Sequence, residues 1–470
     1  MDDLNKVVIV GGGITGLAAA YYMQEAIKQN GLPHRVKLLE ASDRLGGKIQ
    51  TIKRDGFLIE RGADSFLGRK KHGVQLIEQL GICDQLVRNE TGQAFILLKD
   101  QLHPIPQGSF MGIPTQIKPF LASGLFSTAG KLRTCLDLLL PKGDKKVDQS
   151  LGHFLRRRLG NECVEHIIEP LLSGVYSSDI DEMSLMATFP NFYELEQAHG
   201  SLIRGLRMSL SKHRRGTGKR PGQFFALKEG FSSLISELEN QLDEGTIERK
   251  TQVEHIERDG TGFIIYAKSG QIYRTQALLM ATPHQTLPTI FKGYDIFQKI
   301  KDIPVSSVAN VALAFDEKDL QKNVQGTGFV VSRKSNYRIT ACTWTNEKWP
   351  HTTPDRKVLL RAYVGKPTDQ DVVSLSDEDI MTIVLNDLQR MMPIYAEPKF
   401  SIVTRYKHVM PQYTVGHQEK IRDVKRRINN HLPGLFLAGS SYEGVGVPDC
   451  IKQAKDTATD ILQFLKGHNI

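Results

Sequence analysis

Residues Val7-Val8-Ile9-Val10-Gly11-Gly12-Gly13-Ile14-Thr15-Gly16-Leu17-Ala18-Ala19-Ala20 constrain this chain more than any other stretch. A short β-branched run stops at Gly11, and a helix-forming run opens after Gly16. Between them lies G-x-G-x-x-G, a turn whose backbone can touch a pyrophosphate. Gly11 permits the tight turn, Gly13 leaves room for phosphate, and Gly16 lets the helix pack close to the strand. The helix start, with Gly12, Ile14 and Thr15 in the same turn, offers N–H groups and partial positive charge to an anion. A dinucleotide site is therefore expected at the very start of the chain.

The surrounding pattern supports it. After a helix from Ile14 to about Gln29, His34 to Leu39 reads as a second strand running into Glu40 and Ala41. Glu40 stands near the roughly 20-residue offset of the acid that binds an adenosine ribose. A carboxylate there accepts ribose hydroxyls and repels a 2′-phosphate, which disfavours NADP.

At 470 residues the chain is too long for one ordinary core, so two or three domains are expected. Its 40% hydrophobic and 24% charged residues are those of a soluble globular protein. No run approaches the roughly 20 apolar residues needed to span a bilayer. Met1-Asp2-Asp3 leads directly into the first strand with no room for a signal peptide, so a cytoplasmic location is expected. Cys83, Cys135, Cys163, Cys342 and Cys450 are scattered without a C-x-x-C pair, which argues against a disulfide framework and against a metal site.

The net charge of +9 favours anionic partners, whether nucleic acid, acidic lipid or a polycarboxylate. No nucleic-acid-binding motif accompanies it, so no nucleic-acid partner is expected. The basic run Lys212-His213-Arg214-Arg215 with Lys219-Arg220 is interrupted by glycine and proline and reads as a solvated loop.

Farther along, Glu40-x-x-x-Arg44-x-Gly46-Gly47 places paired glycines where backbone can again pass close to a ligand, with Lys48 next. The strand Gly56 to Glu60 runs into Arg61-Gly62-Ala63-Asp64-Ser65, whose small residues suggest another close approach. From about Phe110 to Leu210 the apolar spacing turns helical. Phe120 to Phe126 and Leu136 to Leu140 are apolar beside lysines and arginines, compatible with core packing or with an interfacial helix. Near Phe224 an α/β pattern resumes, and from about Ile303 to Lys407 strands dominate, with one helix at about Asp377 to Met391. Finally Leu435 to Gly439 is a buried strand meeting glycine, followed by Ser440 to Cys450 and a helix from Ile451 to Leu465. A second glycine-rich strand-to-helix turn implies that both chain ends build one site. Such a site suits a ligand longer than a nicotinamide dinucleotide, and FAD is one.

On these segments the chain resembles the flavin amine oxidase superfamily, over nearly its whole length. Tyr442-Glu443-Gly444-Val445-Gly446-Val447-Pro448-Asp449-Cys450-Ile451 and Met410-Pro411-Gln412-Tyr413-Thr414-Val415-Gly416-His417 resemble the protoporphyrinogen and coproporphyrinogen oxidases of its soluble bacterial type. Phe225 to Gly230 and Leu171 to Tyr176 are supporting matches.

The resemblance implies an α/β fold with a Rossmann-type FAD-binding domain assembled from residues 1–105, 221–300 and 425–470. It also implies a mixed-sheet substrate domain over 301–424 with parts of 65–105, and a mainly helical insertion over 106–220, whose apolar segments meet either the core or a membrane surface. Non-covalent FAD is implied, with Gly11 to Gly16 at the pyrophosphate, Glu40 at the ribose, and Lys48 with Gly62, Ala63, Asp64 and Ser65 on the flavin side. Val253, in a Val-x-x-Ile pattern, would meet adenine through its backbone. Gly439, Val445, Gly446 and Val447 would lie by the pyrophosphate or isoalloxazine. Tyr406 stands where some relatives place a tryptophan near the flavin.

The implied reaction is six-electron oxidation of a porphyrinogen by dioxygen in haem biosynthesis, with hydrogen peroxide released. Coproporphyrinogen III is the preferred substrate; protoporphyrinogen IX, or another amine oxidase or desaturase activity, is the alternative. No general base is named. Some relatives place an arginine after a His-x-x-Pro-x-Gly segment to bind propionate, whereas His103 to Gly108 is followed here by Ser109. Lys71 and Arg69 are the substitute cations. Handover of product to a ferrochelatase and at most peripheral membrane contact complete the expectation.

Overall fold

The computed structural model describes residues 6–143, 147–212, 222–260, 262–320 and 325–468. The basic run over 213–220 lies outside them. The chain divides into two compact units, one of Met1–Arg88, Gln223–Ile303 and Gln418–Ile470, the other of Asn89–Gly222 and Pro304–His417.

In the first unit, strand β1 (Lys6–Val10) leads into helix α1 (Ile14–Asn30) and strand β2 (Arg35–Leu39). Strands β3 (Ile247–Glu248), β4 (Ala277–Met280) and β5 (Leu435–Leu437) come from later segments, and helix α2 (Val447–His468) follows β5. The sheet order is β3-β2-β1-β4-β5, with every neighbouring pair parallel. A parallel sheet covered on both faces explains why Val7, Val8, Ile9, Leu278, Leu279 and Met280 are all buried rather than alternating. Because the strands run the same way, Gly11, Glu40, Ala281 and Ala438 all emerge at one edge. That carboxyl edge is where open α/β sheets bind ligands.

Helices α1 and α2 pack against each other. A core of Val8, Val10, Leu278 and Met280 continues into Val253, Ile256, Phe263 and Ile265 of a small antiparallel sheet and into Ile421, Val424 and Ile428 of the helix His417–His431. The terminal helix starts at Val447, one turn earlier than the sequence pattern suggests. Pro448 falls in its first turn, where the missing N–H costs no helical bond.

The second unit holds a seven-stranded mixed sheet. Its order is Phe400–Pro411, Val305–Asp316, Lys357–Val364, Ile339–Trp344, Gly328–Val331, Phe95–Leu98 and Gln101–Pro104. All pairs are antiparallel except Gly328–Val331 with Phe95–Leu98. Alternation decides its faces: Val311, Leu313, Phe315, Leu360 and Ala362 point to one core, closed by Ile380, Val384 and Leu388 of the helix Asp377–Gln389. Ile96 and Leu98 point the other way, into a helical core with Phe154, Leu155, Ile167 and Phe192. One helical segment, Val164–Ile168, is widened into a π-turn. Pro170 follows it and has no N–H for the carbonyl of His166, which accounts for the local widening.

The apolar stretch that sequence left open between core and interface is divided. Phe120, Leu125 and Phe126 are in the core, whereas Leu136 and Leu139 are 46% and 83% exposed; Leu132, between the two runs, is 65% exposed as well. Cys83 is exposed, and Cys163, Cys342 and Cys450 are buried free thiols.

Candidate functional site

The opening turn depends on missing side chains. Gly11 has φ +108°, and a Cβ there would stand 2.9 Å from the Ala281 carbonyl oxygen. A Cβ at Gly16 would stand 1.9 Å from the Gly11 carbonyl oxygen, so the first turn of α1 lies directly on the end of β1. At Gly13, the N-cap of α1, nothing lies within 4 Å of the Cβ position. No side chain caps that helix, and no acidic residue occupies its first turn. Open space in front of uncapped helical N–H groups is the geometry an anion needs.

The glycine doublet closes on the same turn. The Gly46 N–H donates to the Gly12 carbonyl at 2.8 Å, Gly13 and Gly46 form an isolated β-bridge, and a Cβ on Gly47 would reach the Gly13 Cα at 3.4 Å. Arg44 holds this loop, giving its guanidinium to the Leu45, Ile49 and Gly47 carbonyls at 3.0, 2.8 and 2.5 Å.

Glu40 ends β2 and is oriented by three bonds. Its Oε2 accepts the Gly12 N–H at 2.6 Å, and its Oε1 accepts the Ser42 N–H and hydroxyl at 2.9 and 2.8 Å. A carboxylate has about four acceptor positions, so one remains on Oε2 for a ligand hydroxyl. Ala41 beside it is exposed. The Glu40 carbonyl accepts the Thr251 N–H at 2.8 Å, which brings the start of Val253–Asp259, and so Val253, toward the same edge.

The C-terminal turn arrives at the same place. A Cβ on Gly439 would lie 3.8 Å from the Thr15 hydroxyl oxygen, and Lys48 Nζ lies 3.5 Å from Ser440 Oγ. Burial pulls the Lys48 ammonium below its usual pKa, partly offset by the Cys450 thiol beside it. Burial also pushes that thiol up to about 11, a shift opposed by the Thr15 hydroxyl. A thiol held protonated is a poor nucleophile. Gly444 and Gly446 wrap the Asp449 side chain: a Cβ on either would come within 2.7 and 2.9 Å of it. Val445 and Val447 flank Gly446, both half-buried.

Gly62, Ala63, Asp64 and Ser65 follow the strand Phe57–Glu60 and are half-buried, with Ser65 Oγ donating to Asp64 Oδ1 at 2.7 Å. Tyr406 is half-buried on the strand Phe400–Pro411 of the second unit. Arg69 and Lys71 are both exposed. The residue between them, Lys70, forms an ion pair with Asp449 in the first turn of α2. Sequence reasoning passed over Lys70, because nothing local distinguishes it from its basic neighbours. It also passed over Gln453 and His284, whose side chains meet the C-terminal turn. Among the described residues no group of three or more His, Cys, Asp or Glu could hold a metal ion.

The residues present thus fit a dinucleotide: an open glycine cradle at a helix start, an oriented acid with one free acceptor position, and a half-buried cation. A coproporphyrinogen III oxidase of Bacillus subtilis (strain 168) is 48% identical over 466 residues, 99% of each chain. One from Staphylococcus aureus (strain NCTC 8325 / PS 47) is 45% identical over 98% of this chain and 99% of its own. A crystal structure from Exiguobacterium sp. 255-15, described as a protoporphyrinogen oxidase, is 40% identical with a TM-score of 0.87 and covers 98% of this chain and 99% of that one. Residues 14–462 match the flavin containing amine oxidoreductases, and the chain belongs to that family.

Proposed function

We propose that this chain is an FAD-dependent porphyrinogen oxidase acting in haem biosynthesis, with coproporphyrinogen III as its preferred substrate. The observation that carries the reading is the convergence of Gly11–Gly16, Gly46–Gly47 and the Gly439 turn on the one opening beside Gly13. The names of relatives sharing 45–48% of the sequence support the substrate.

In this reading the first unit binds FAD and the second takes the porphyrinogen. Gly11 to Gly16 hold the pyrophosphate, Glu40 takes an adenosine ribose hydroxyl, and the Val253 backbone meets adenine. Arg44 acts by shaping the Gly46–Gly47 loop. Lys48, Gly62 to Ser65 and Val445 to Val447 lie along the flavin half. A buried, protonated Cys450 favours non-covalent attachment. When bound, FAD supplies two-electron hydride acceptance with reoxidation by dioxygen, three rounds of which remove six electrons and yield three hydrogen peroxides. The chain's own part is to orient, to exclude water and to match the substrate carboxylates with cations, Arg69 and Lys71 being candidates. The product porphyrin then passes to a metal-inserting enzyme of ferrochelatase type.

The reading is tested by aerobic turnover of coproporphyrinogen III and protoporphyrinogen IX side by side, following porphyrin fluorescence and peroxide. The expected result is faster turnover of coproporphyrinogen III with three peroxides per porphyrin. Activity on amines but on neither porphyrinogen overturns it.

Membrane contact, if the second unit makes it, is peripheral. Among the described residues no helix is long and apolar enough to cross a bilayer. Exposed Leu132 in the helix Thr128–Cys135 and exposed Leu136 and Leu139 just after it stand beside Lys131 and Arg133, apolar and basic side chains together as at an anionic lipid surface. Co-sedimentation with anionic vesicles is expected for the wild type and lost when these three leucines become serine; equal sedimentation of both removes the lipid contact from the reading.

A further inference from the structure

The C-terminal turn must keep one shape beside Thr15 and Lys48, yet it is built of glycine, serine and irregular backbone. Two buried side chains brace it. His284, wholly buried, lies just past the end of β4. Its Nε2 is 3.1 Å from the Ile303 carbonyl oxygen, which can only accept, so Nε2 carries the proton. Nδ1 is then bare and accepts the Ser441 hydroxyl at 3.1 Å. The same hydroxyl oxygen accepts the His284 backbone N–H at 3.2 Å, so Ser441 is bound in both directions to one residue. Burial lowers the imidazole pKa and favours the neutral ring this pattern requires. Gln453 of α2 accepts the Gly439 N–H at 3.1 Å through Oε1 and donates its amide to the Glu443 carbonyl. One side chain thereby ties both ends of the turn.

Resting on the assignment of this turn to the FAD cradle, we propose that His284, acting through Ser441, and Gln453 are positioning residues that preorganise Gly439–Glu443 and so set the affinity for flavin. Neither need touch the cofactor. Their contribution is paid before binding, as rigidity of the receiving backbone.

The test uses purified holoenzyme. Flavin release is followed by fluorescence on dilution, bound flavin by visible circular dichroism, and the fold by melting of the flavin-free forms. Ser441→Ala and Gln453→Met, each of which removes two hydrogen bonds from the turn, are each expected to weaken flavin binding roughly tenfold or more. Both should change the visible dichroism while leaving the flavin-free melting temperature in place. Ser441→Thr, which keeps the hydroxyl, should restore wild-type release, and His284→Asn, which keeps an acceptor, should fall between. Unchanged flavin affinity and dichroism in Ser441→Ala and Gln453→Met overturn the proposal. So does a loss of flavin-free stability that Ser441→Thr does not rescue. Wild-type protein that holds no flavin would instead overturn the FAD assignment, and the positioning role with it.

Discussion

Gly16→Ala is expected to yield protein without flavin and with a markedly lower melting temperature. The added methyl would sit 1.9 Å from the Gly11 carbonyl oxygen and 3.1 Å from its carbon. Both obstacles are backbone, pinned in turn by the Gly11 N–H bond to the Leu39 carbonyl at 2.8 Å, so the clash cannot be relieved by turning a side chain. Overpacking of this kind costs about 3 kcal/mol or more, a large share of the ~5–15 kcal/mol that holds a fold together. For a unit of this size it corresponds to a drop on the order of 6–12 °C. Gly13→Ala is the matched comparison. Its φ of −72° suits alanine, and its methyl meets no protein atom within 4 Å. It should melt like the wild type yet load flavin poorly, because the methyl occupies the space in front of the helix. Flavin-to-protein absorbance ratios and melting curves read both variants. Full flavin loading in Gly13→Ala would remove the phosphate from that opening.

Arg158→Met is expected to destabilise the second unit by about 3–5 kcal/mol, the cost of breaking a buried ion pair from one side. Arg158 is wholly buried, and so are its partners Asp137 and Glu196. Its guanidinium pairs with Asp137 Oδ1, reaches Glu196 at 3.3 Å, and donates to the Asp137, Gly200 and Pro141 carbonyls at 2.6, 2.9 and 2.8 Å. Asp137 meanwhile accepts from the Ser201 hydroxyl and the Ile203 N–H at 2.5 and 2.9 Å. Removing the cation strands Asp137 in the dry interior, while Glu196 keeps Arg157 at 2.8 Å; removing Arg158 and Asp137 together strands neither carboxylate. The double variant Arg158→Met with Asp137→Leu should therefore recover much of the loss. Both tryptophans, Trp344 and Trp349, lie in this unit, so denaturant titration of their fluorescence reports on it directly. A single variant as stable as the wild type would show that the cluster does not hold these helices together.

Much of the first unit was legible in the chain. The β-branched run before Gly11, the apolar run at Leu435 to Ala438 and the glycine that ends each pointed to buried strands meeting a ligand, and those two strands lie in one parallel sheet with their ends on one edge. The helix Asp377–Gln389 and the strands around it were also visible, because their apolar spacing differs. Less was legible where one composition serves two ends. Phe120 and Phe126 went to the core while Leu132, Leu136 and Leu139 went to the surface, a choice made by how the short helices Ile117–Ala122 and Thr128–Cys135 and the turns after each meet the rest of the helical core. The start of α2 was misplaced by a turn because proline reads as a breaker until its place in the first turn is known.

By itself the sequence determined what depends on neighbours in the chain. It set the glycine turn, since only glycine clears the Ala281 and Gly11 carbonyls. It set the acid at the end of β2 and the strand-turn-helix return near the C-terminus. Tertiary structure alone decided which distant residues meet there: Glu40 on the Gly12 N–H, Lys70 rather than Arg69 or Lys71 on Asp449, and His284 on Ser441. Steric allowance and hydrophobic period act over a few residues and are written locally. A hydrogen bond between positions 157 residues apart exists only once the folded sheet has brought their strand ends to one edge.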